Sequence, residues 1–290
     1  MPQSNVYKTI SNYFSDMSKS QKKIATYILE NTYSAPFLTV GKLAKMSDVS
    51  EATVVRFATF LGYEGYNEFQ QYMYDSVEKQ LNTVERLQMS RDIYDDKEKG
   101  IYEVFEDDMT NIQMTMENLN LKDFEKAASY FLKAKNIYIV ASRSAVSLGS
   151  FLNYYLDIMF GNSKLIHSSE TAFEQLYDLK DNDVVVGLSF ARYTKATLDI
   201  VTHVKKREVP IIAITDSLLS PITQLATISL IASSKMPSFL DSFVAPLSII
   251  NALITYLGKQ QTEPINKRLK DLEQMWDEHS IFYQQRTDFT

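Results

Sequence analysis

Two residues on one short helix have the types and spacing that could read a DNA base sequence. The stretch LTVGKLAKMSDVSEATVVRFATFLGY predicts a helix over about residues 39–46, the polar turn SDVS, and a second helix over about 51–61. On the second helix, Arg can grip guanine with two hydrogen bonds, and Thr can contact a thymine methyl group or a phosphate. We expect Thr53 and Arg56 to contact bases. The expected phosphate contacts are Lys42, Lys45 and Ser50.

This arrangement is typical of a helix-turn-helix, whose second helix enters the major groove of DNA by its amino-terminal end. Ser50 is expected to cap that helix, because its hydroxyl can accept an otherwise unpaired backbone N–H. The small and apolar residues expected to pack the two helices together are Ala44, Ala52, Val55 and Phe60. An alternative stays open, because any two short helices joined by a polar turn give this pattern. Charge does not decide between them, since residues 1–80 carry eight basic and eight acidic side chains.

The composition excludes several kinds of chemistry. The 290 residues include no Cys and only three His, at positions 167, 203 and 279, so a thiolate nucleophile, a disulfide and an iron–sulfur cluster are excluded. The eight Gly residues never form the G-x-G-x-x-G or Walker motifs that cradle nucleotide phosphates. We therefore expect no metal and no cofactor.

Charge and hydropathy indicate where in the cell the protein is expected to be located. The net charge is −6, which argues against a wholly basic nucleic-acid coat but not against one local basic face. The polar amino terminus lacks the pattern of a signal peptide. The longest apolar stretch, about 243–257, is interrupted by Pro246 and is shorter than the roughly 20 residues of a spanning helix. A cytoplasmic protein with no membrane partner is expected.

Hydrophobic periodicity divides the chain into an all-α part and an α/β part. Apolar residues recur at helical spacing up to about residue 80, and a charge-rich stretch with Gly100 follows. After residue 121, short apolar runs alternate with helical segments, which predicts a three-layer domain with a parallel sheet covered on both faces. The expected division is an all-α helix-turn-helix domain at 1–80, a linker and connecting helix at 81–120, an α/β domain at 121–262 and a carboxyl-terminal helix at 263–290.

Five apolar runs are the candidate strands. They are NIYIVA, SKLIHS, DVVVGLS, VPIIAIT and ATISLIA, separated by helix-like segments that include those near 169–177, 194–208 and 219–225. Ligands of such folds bind at the carboxyl ends of the strands. The loops at those ends are 141–144, 189–194 and 215–220. In the third loop Asp216 and Ser220 are expected to form a turn and cap a helix; Asp241 and Ser242 are expected to cap the long helix that follows.

The amino-terminal part closely resembles the DNA-binding domain of the RpiR family of bacterial transcriptional regulators. The resemblance rests on SQKKIATYILEN and on S-x-A-T-V-V-R-F followed by L-G-Y, G-Y and E-F, and it spans most of residues 4–77. It implies that the chain binds double-stranded operator DNA.

The second part resembles the sugar isomerase (SIS) domain that these regulators carry. IAITDSLLSPITQLA and SFLDSFVAPLSIINALITYL resemble a later strand-to-helix turn and a long carboxyl-terminal helix of that domain, and the resemblance covers about residues 120–260. It implies an α/β fold of the SIS type that senses a phosphorylated sugar. Hydroxyls and backbone N–H groups at loop-to-helix junctions would hold the phosphate.

The ligand loops depart from the pattern that the resemblance implies. The first loop, commonly Gly-x-Gly-x-Ser, is Ala141-Ser142-Arg143-Ser144, and the second, commonly Ser-x-Ser-Gly-x-Thr, is Ser189-Phe190-Ala191-Arg192-Tyr193-Thr194. The glycines are lost, and two planar cations suited to phosphate or carboxylate are gained. A sugar acid is therefore as plausible an effector as a sugar phosphate. The expected ligand residues are Ser142, Arg143, Ser144, Ser189, Arg192 and Thr194.

Two rival functions remain beside a ligand-responsive transcription factor that works as a homodimer or homotetramer. A sugar-phosphate isomerase would need a general base, and His167 and Glu170 follow the second candidate strand. A regulator whose α/β domain only dimerises, with no small ligand, is the other alternative, and the lost glycines support it.

Overall fold

The computed structural model describes residues 6–78, 82–94, 99–260 and 263–283. The chain divides into two compact units. Residues 1–109 together with 235–241 form unit 1, and residues 110–234 together with 242–290 form unit 2.

Helices are the regular secondary structure of unit 1 within its described residues, and residues 235–241 form an irregular segment. Polar caps set several helix starts: Ser18 and Gln21 form a capping box, Thr39 accepts a bond from the Lys42 N–H, and Asn82 and Glu85 form a second capping box. The helices are α1 (Val6–Tyr13), α2 (Lys19–Glu30), α3 (Val40–Met46), α4 (Glu51–Phe60), α5 (Tyr66–Glu78), α6 (Thr83–Ile93) and α7 (Lys99–Glu117), with short 3₁₀ turns at Phe14–Asp16 and Ala35–Phe37.

The core of unit 1 holds α1 to α5 together. Phe57 of α4 and Phe69 of α5 are fully buried and meet edge to face, with ring centroids 5.7 Å apart. The Tyr66 hydroxyl donates to the Leu38 carbonyl at 2.6 Å, and burial raises the pKa of this phenol far above its usual range. The second helix of the predicted motif is thus fixed against α5 by aromatic packing.

A buried cation anchors residues 235–241 within unit 1. Arg86 of α6 is only 3% exposed, and its guanidinium donates to the Ser238 carbonyl, the Leu240 carbonyl and the Asp241 carboxylate at 2.8, 3.1 and 2.6 Å. Asp241 was expected to cap the following long helix, and that prediction is wrong. Its carboxylate instead pairs with the Arg86 guanidinium. A buried positive charge without such a partner would be strongly destabilising.

Unit 2 is an α/β domain built on five parallel strands. The strands lie in the order β2-β1-β3-β4-β5, where β1 is Ile137–Ala141, β2 Ser163–Ile166, β3 Val184–Ser189, β4 Ile211–Thr215 and β5 Ile228–Ile231. The helices after α7 are α8 (Leu121–Lys133), α9 (Val146–Phe160), α10 (Ala172–Gln175), α11 (Lys195–Lys205), α12 (Val244–Lys259) and α13 (Glu263–Glu278).

The side chains of the strands belong to two separate apolar cores, one on each face of the sheet. Ile139 and Val186 belong to the core that also contains side chains of α8, α9 and α12. Val140 and Val185 belong to the opposite core, with side chains of α11. Burial on both faces explains why the strands are continuous apolar runs. The predicted fold class, an all-α domain followed by a three-layer α/β domain with a parallel sheet, is confirmed.

Some predicted helices are shorter than expected. The segment near 219–225 is a 3₁₀ turn at Pro221–Gln224, and the segment near 169–177 contains only the single turn α10. The last helix ends at Glu278, and Trp276 meets Phe282 with ring centroids 5.5 Å apart. Within the described residues, no helix combines the length and apolar character that crossing a membrane requires.

Leu152→Ala tests the core that α9 forms on the sheet. Leu152 is fully buried in that core, so we expect the free energy of unfolding to fall by about 2–5 kcal/mol. Ser150→Ala on the exposed side of α9 is the control and is expected to change it by less than about 0.5 kcal/mol. Urea denaturation followed by circular dichroism measures both; equal values for the two variants would contradict the assigned packing.

Candidate DNA-binding surface and effector site

The turn between α3 and α4 contains a residue in left-handed conformation, which also forms an exposed ion pair with α2. Asp48 has φ +52°, and its carboxylate lies 2.5 Å from the Lys23 ammonium of α2. The hydrogen bond and charge of Lys23 hold the pKa of Asp48 below its usual range. The Val49 N–H donates to the Ala44 carbonyl at 3.0 Å and closes the turn. Helix α4 therefore begins at a defined angle to α3, as a helix-turn-helix requires.

Helix α4 is rotated relative to the packing predicted from sequence. Its buried residues are Val54, Phe57 and Ala58, whereas Ala52 is exposed and Val55 and Phe60 are 42% and 38% exposed. Of the four residues predicted to pack the two helices, only Ala44 is buried. The prediction failed because a helix of this mixed composition has apolar residues on more than one face. The exposed Ala52 and Val55 instead add small apolar groups to the surface that carries Arg56.

The predicted base-contacting residues lie on the outward side of α4. Arg56 is exposed, and its Nε donates to the Ala52 carbonyl one turn earlier at 3.1 Å. Thr53 is half-buried, and its hydroxyl lies 2.8 Å from that of Ser50. Ser50 occupies the N-cap position, but its hydroxyl makes no capping bond to a backbone N–H, so that part of the prediction is wrong.

The two predicted phosphate-contacting lysines differ in their surroundings. Lys45 is exposed in the last turn of α3. The ammonium of Lys42 lies 3.2 Å from the Glu103 carboxylate of α7, in a pair whose side chains are 29% and 12% exposed. Lys42 is therefore paired with an acid, and a phosphate bound at this position would have to compete with Glu103.

Sequence reasoning missed a group of lysines on α2. Lys19, Lys22 and Lys23 line a surface depression together with Ser47 and Asp48 of the turn. The run SQKK carried this signal in the sequence, but its position beside the turn is set by the packing of α2. These lysines extend the cationic surface next to the start of α4.

The candidate effector site of unit 2 lies where the strand order reverses. β2 pairs with one side of β1 and β3 with the other. In folds of this type the loops that leave the strands at this point diverge, and ligands bind between them at the carboxyl ends of the strands. The Thr197 hydroxyl at the start of α11 donates to Ser142 Oγ in the first loop at 2.9 Å. The first predicted ligand loop is therefore tied to the helix that follows the second.

Both loop arginines adopt a backbone conformation that favours glycine. Arg143 has φ +54° and Arg192 has φ +61°. Left-handed backbone costs an L-residue about 1–2 kcal/mol, and such strain clusters at ligand-binding sites. Both arginines are exposed. The loops therefore keep a glycine-like backbone conformation at positions where this chain carries exposed arginines.

The hydroxyl groups of the site fall into two sets. Ser189 Oγ is buried and has no hydrogen-bond partner among the described residues, which is costly for a polar group unless a ligand or water pairs with it. The Thr215 hydroxyl by contrast is paired: it donates to the Ser189 carbonyl and lies 2.8 Å from Ser220 Oγ, from which it can accept. Ser144 is exposed, and Thr194 precedes α11 at its N-cap position without a side-chain capping bond.

Other titratable groups near the strands are poorly placed for catalysis. His167 and Glu170 follow β2, and both side chains are exposed. The described ranges contain no group of three or more His, Cys, Asp or Glu residues that could hold a metal ion. The two predicted ligand loops carry guanidinium groups, hydroxyls and backbone N–H groups, which are the types of group that bind anions.

Two family models match separate parts of the chain. The model of the helix-turn-helix domain of the rpiR family matches residues 4–80, and that of the SIS domain matches residues 130–256. An HTH-type transcriptional regulator of Caldanaerobacter subterraneus subsp. tengcongensis is 26% identical, with 93% of this chain and 96% of the relative covered. HexR of Escherichia coli, also an HTH-type transcriptional regulator, is 23% identical, with 93% of each chain covered.

Two solved structures share the fold. The Vibrio vulnificus NanR protein complexed with ManNAc-6P is 20% identical with a TM-score of 0.57, covering 97% of this chain and 100% of NanR. The sugar isomerase domain of an RpiR transcription factor from Sphaerobacter thermophilus is 22% identical with a TM-score of 0.58, covering 60% and 97%.

These findings define a protein that joins a helix-turn-helix domain to a SIS domain in one chain. The chain belongs to the RpiR family, as its sequence motifs predicted.

Arg143→Gly tests the strain in the first ligand loop. Glycine removes the cost of the left-handed backbone but loses more conformational entropy on folding than alanine does. We therefore expect the glycine variant to be more stable than Arg143→Ala by about 0.5–1 kcal/mol, measured as the free energy of unfolding in urea. Greater stability of the alanine variant would contradict the conformation assigned to Arg143.

Proposed function

We propose that this protein is a cytoplasmic, homodimeric or homotetrameric regulator of carbohydrate metabolism that binds operator DNA and senses a phosphorylated or acidic sugar. The observation that carries the effector half is the pair of arginines held in left-handed backbone at the crevice, beside the buried and unpaired Ser189 hydroxyl. The expected domain division, 1–80, 81–120, 121–262 and 263–290, is part of this proposal.

The DNA half of the proposal rests on α4 and its surroundings. Arg56 and Thr53 read bases from the outward side of the helix, with Ala52 and Val55 as neighbours that suit thymine methyl groups. Lys42, Lys45 and Ser50 contact phosphates, and the α2 lysines 19, 22 and 23 add further phosphate contacts. Residues 1–80 carry as many acidic as basic side chains. The affinity for DNA therefore depends on this local cationic surface and on the DNA-binding domains of two copies binding together.

The effector half is supported by the chemistry of the crevice and by a relative. Ser142, Arg143, Ser144, Ser189, Arg192 and Thr194 surround the candidate anion site. NanR of Vibrio vulnificus, which shares the fold, has been solved with the sugar phosphate ManNAc-6P. Two guanidinium groups in place of glycines favour a ligand with a second acidic group, since each can bind a carboxylate or phosphate with two hydrogen bonds.

Effector binding changes the affinity for DNA only if the effector prefers one arrangement of the DNA-binding domains of the two copies. The coupling free energy equals the difference in effector affinity between the DNA-bound and free arrangements, and it acts equally in both directions. Measured DNA affinity with and without effector therefore gives the same factor as effector affinity with and without DNA.

A sugar-phosphate isomerase is the second candidate, because SIS folds occur in such enzymes. The exposure of His167 and Glu170 weighs against it, since a base that removes a carbon-bound proton must be held in place against the substrate. A regulator whose SIS domain only dimerises is the third, and it makes no use of the strained arginines.

Arg56→Ala tests the reading surface of α4. We expect binding to duplexes selected by the native protein from a random library to weaken by about 1–3 kcal/mol, with lost discrimination at one base position. Lys45→Ala is the matched control: it should lower the slope of log affinity against log salt by about one and leave base discrimination unchanged. Equal binding of native protein and Arg56→Ala across single-base variants would remove Arg56 from the reading surface.

A thermal-shift screen tests the effector site. The panel contains phosphorylated sugars, sugar acids and their neutral counterparts; a ligand at 100 times its dissociation constant adds about 2.7 kcal/mol of stability. We expect a shift with an anionic sugar only, and its loss in Arg192→Ala. Lys195→Ala, an exposed cation at the start of α11, serves as the control that retains the shift. A panel without any shift would favour the dimerisation-only alternative.

A further inference from the structure

Helix α7 exposes a continuous apolar face. Its exposed large apolar side chains are Ile101, Tyr102, Phe105, Met109, Ile112 and Met116, which are between 37% and 71% exposed. At 100° per residue these six positions fall within an arc of about 100°, along roughly 22 Å of helix. We call this set the outer stripe. Exposed apolar patches of this size mark interaction sites in soluble proteins.

The inner side of α7, which packs against the rest of the chain, carries polar side chains beside the half-buried Val104 and Met114. On its inner side, Asn111 and Thr115 are buried: Asn111 Oδ1 accepts from the Ser233 hydroxyl at 2.6 Å and Thr115 Oγ1 accepts from the Ser233 N–H at 2.9 Å. A third, exposed face carries Glu106, Gln113 and Glu117. The helix thus packs against its own chain partly through hydrogen bonds and directs its large apolar residues outward. This distribution is the reverse of an ordinary amphipathic surface helix.

We infer that the outer stripe is covered by the α7 helix of a second copy of this chain, lying antiparallel to the first. The inference deepens the proposed homodimeric regulator, on which it rests, by naming the contact between the copies. Six partly exposed side chains at roughly 100 Å² each give about 600 Å² per copy and about 1,200 Å² in total, which reaches the range of specific interfaces.

The order of residues along the outer stripe favours the antiparallel arrangement. Tyr102 and Phe105 lie at its amino-terminal end, and Ile112 and Met116 at its carboxyl-terminal end. A two-fold axis near Met109 brings the aromatic rings of one helix against the flexible Met and Ile side chains of the other. Contacts between sulfur and aromatic rings are favourable. A parallel pair would instead place each ring against its own copy.

Charge on the adjacent exposed face supports the same choice. In the antiparallel pair Glu106 lies opposite the region of Gln113, and Glu117 lies opposite the region of Ile101. In a parallel pair Glu106 would lie near Glu106 and Glu117 near Glu117 of the other copy, and like charges at close range repel. The antiparallel pair therefore buries the outer stripe without placing carboxylates of the two copies next to each other.

Sedimentation of the full chain, without DNA or sugar, tests this contact. We expect the native protein to form a dimer at micromolar concentration and Met109→Lys, which places two ammonium groups near the axis, to raise the dimer dissociation constant about 100-fold or more. Thr110→Lys introduces the same residue at an exposed position on the side of α7 away from the outer stripe and should leave the dissociation constant unchanged. Thermal unfolding followed by circular dichroism shows that each variant is folded.

Cysteine cross-linking tests the direction of the helices and uses the absence of Cys from the native chain. We expect a short bis-maleimide to join Tyr102→Cys to Met116→Cys in a mixture of the two variants, and neither variant to itself. Self-linking of each variant would overturn the antiparallel arrangement. A monomeric native protein, or a dimer unaffected by Met109→Lys, would overturn the contact itself. Neither readout involves DNA, so failure of DNA binding would contradict only the proposed function.

Discussion

The parallel pairing of β1 with β3 is the constraint on which the effector half of the molecule depends. The register sets Ala141 beside Leu188, so both strands end at the same level of the sheet. Since β2 lies on the far side of β1, the chain leaves these two strands in different directions. Residues separated by about fifty positions in sequence thereby become neighbours, as the hydrogen bond from Thr197 to Ser142 shows. Neither loop could form an anion site alone, because each supplies one guanidinium and only part of the hydroxyl set.

The fold was predictable because its dominant signals are local. A strand covered on both faces must be apolar throughout, and each of the five predicted runs contains an observed strand. Helix α4 shows the limit of such reasoning. Ala52, Val55 and Phe60 are apolar but point away from the core, and the phase of the helix is set by Phe57 meeting Phe69 of α5. The spacing within one helix cannot reveal a contact made by another.

The sequence predicted which residue types lie at the candidate sites, but not their backbone conformation or their ion-pair partners. The sequence identified Arg143 and Arg192 as cations in ligand loops, yet only the structure gives their left-handed backbone. Lys42 was expected to be available to phosphate, and its pairing with Glu103 depends on where α7 packs, some sixty residues later. Asp241 was assigned to a helix cap from its position alone, whereas a buried guanidinium in α6 determines its role. Long-range electrostatic partners were the common omission.

The left-handed conformation at Arg143 and Arg192 also bears on how this family can diversify its ligands. A loop that already follows a glycine-like path accepts either glycine or arginine without rebuilding its neighbours. At the proposed anion site, glycine would leave recognition to bare backbone N–H groups, whereas arginine adds a long cationic side chain. Some arginine and glycine codons differ by a single nucleotide. One substitution at either position would therefore change the chemistry offered to a ligand, with the sheet, the helices and the loop course left intact.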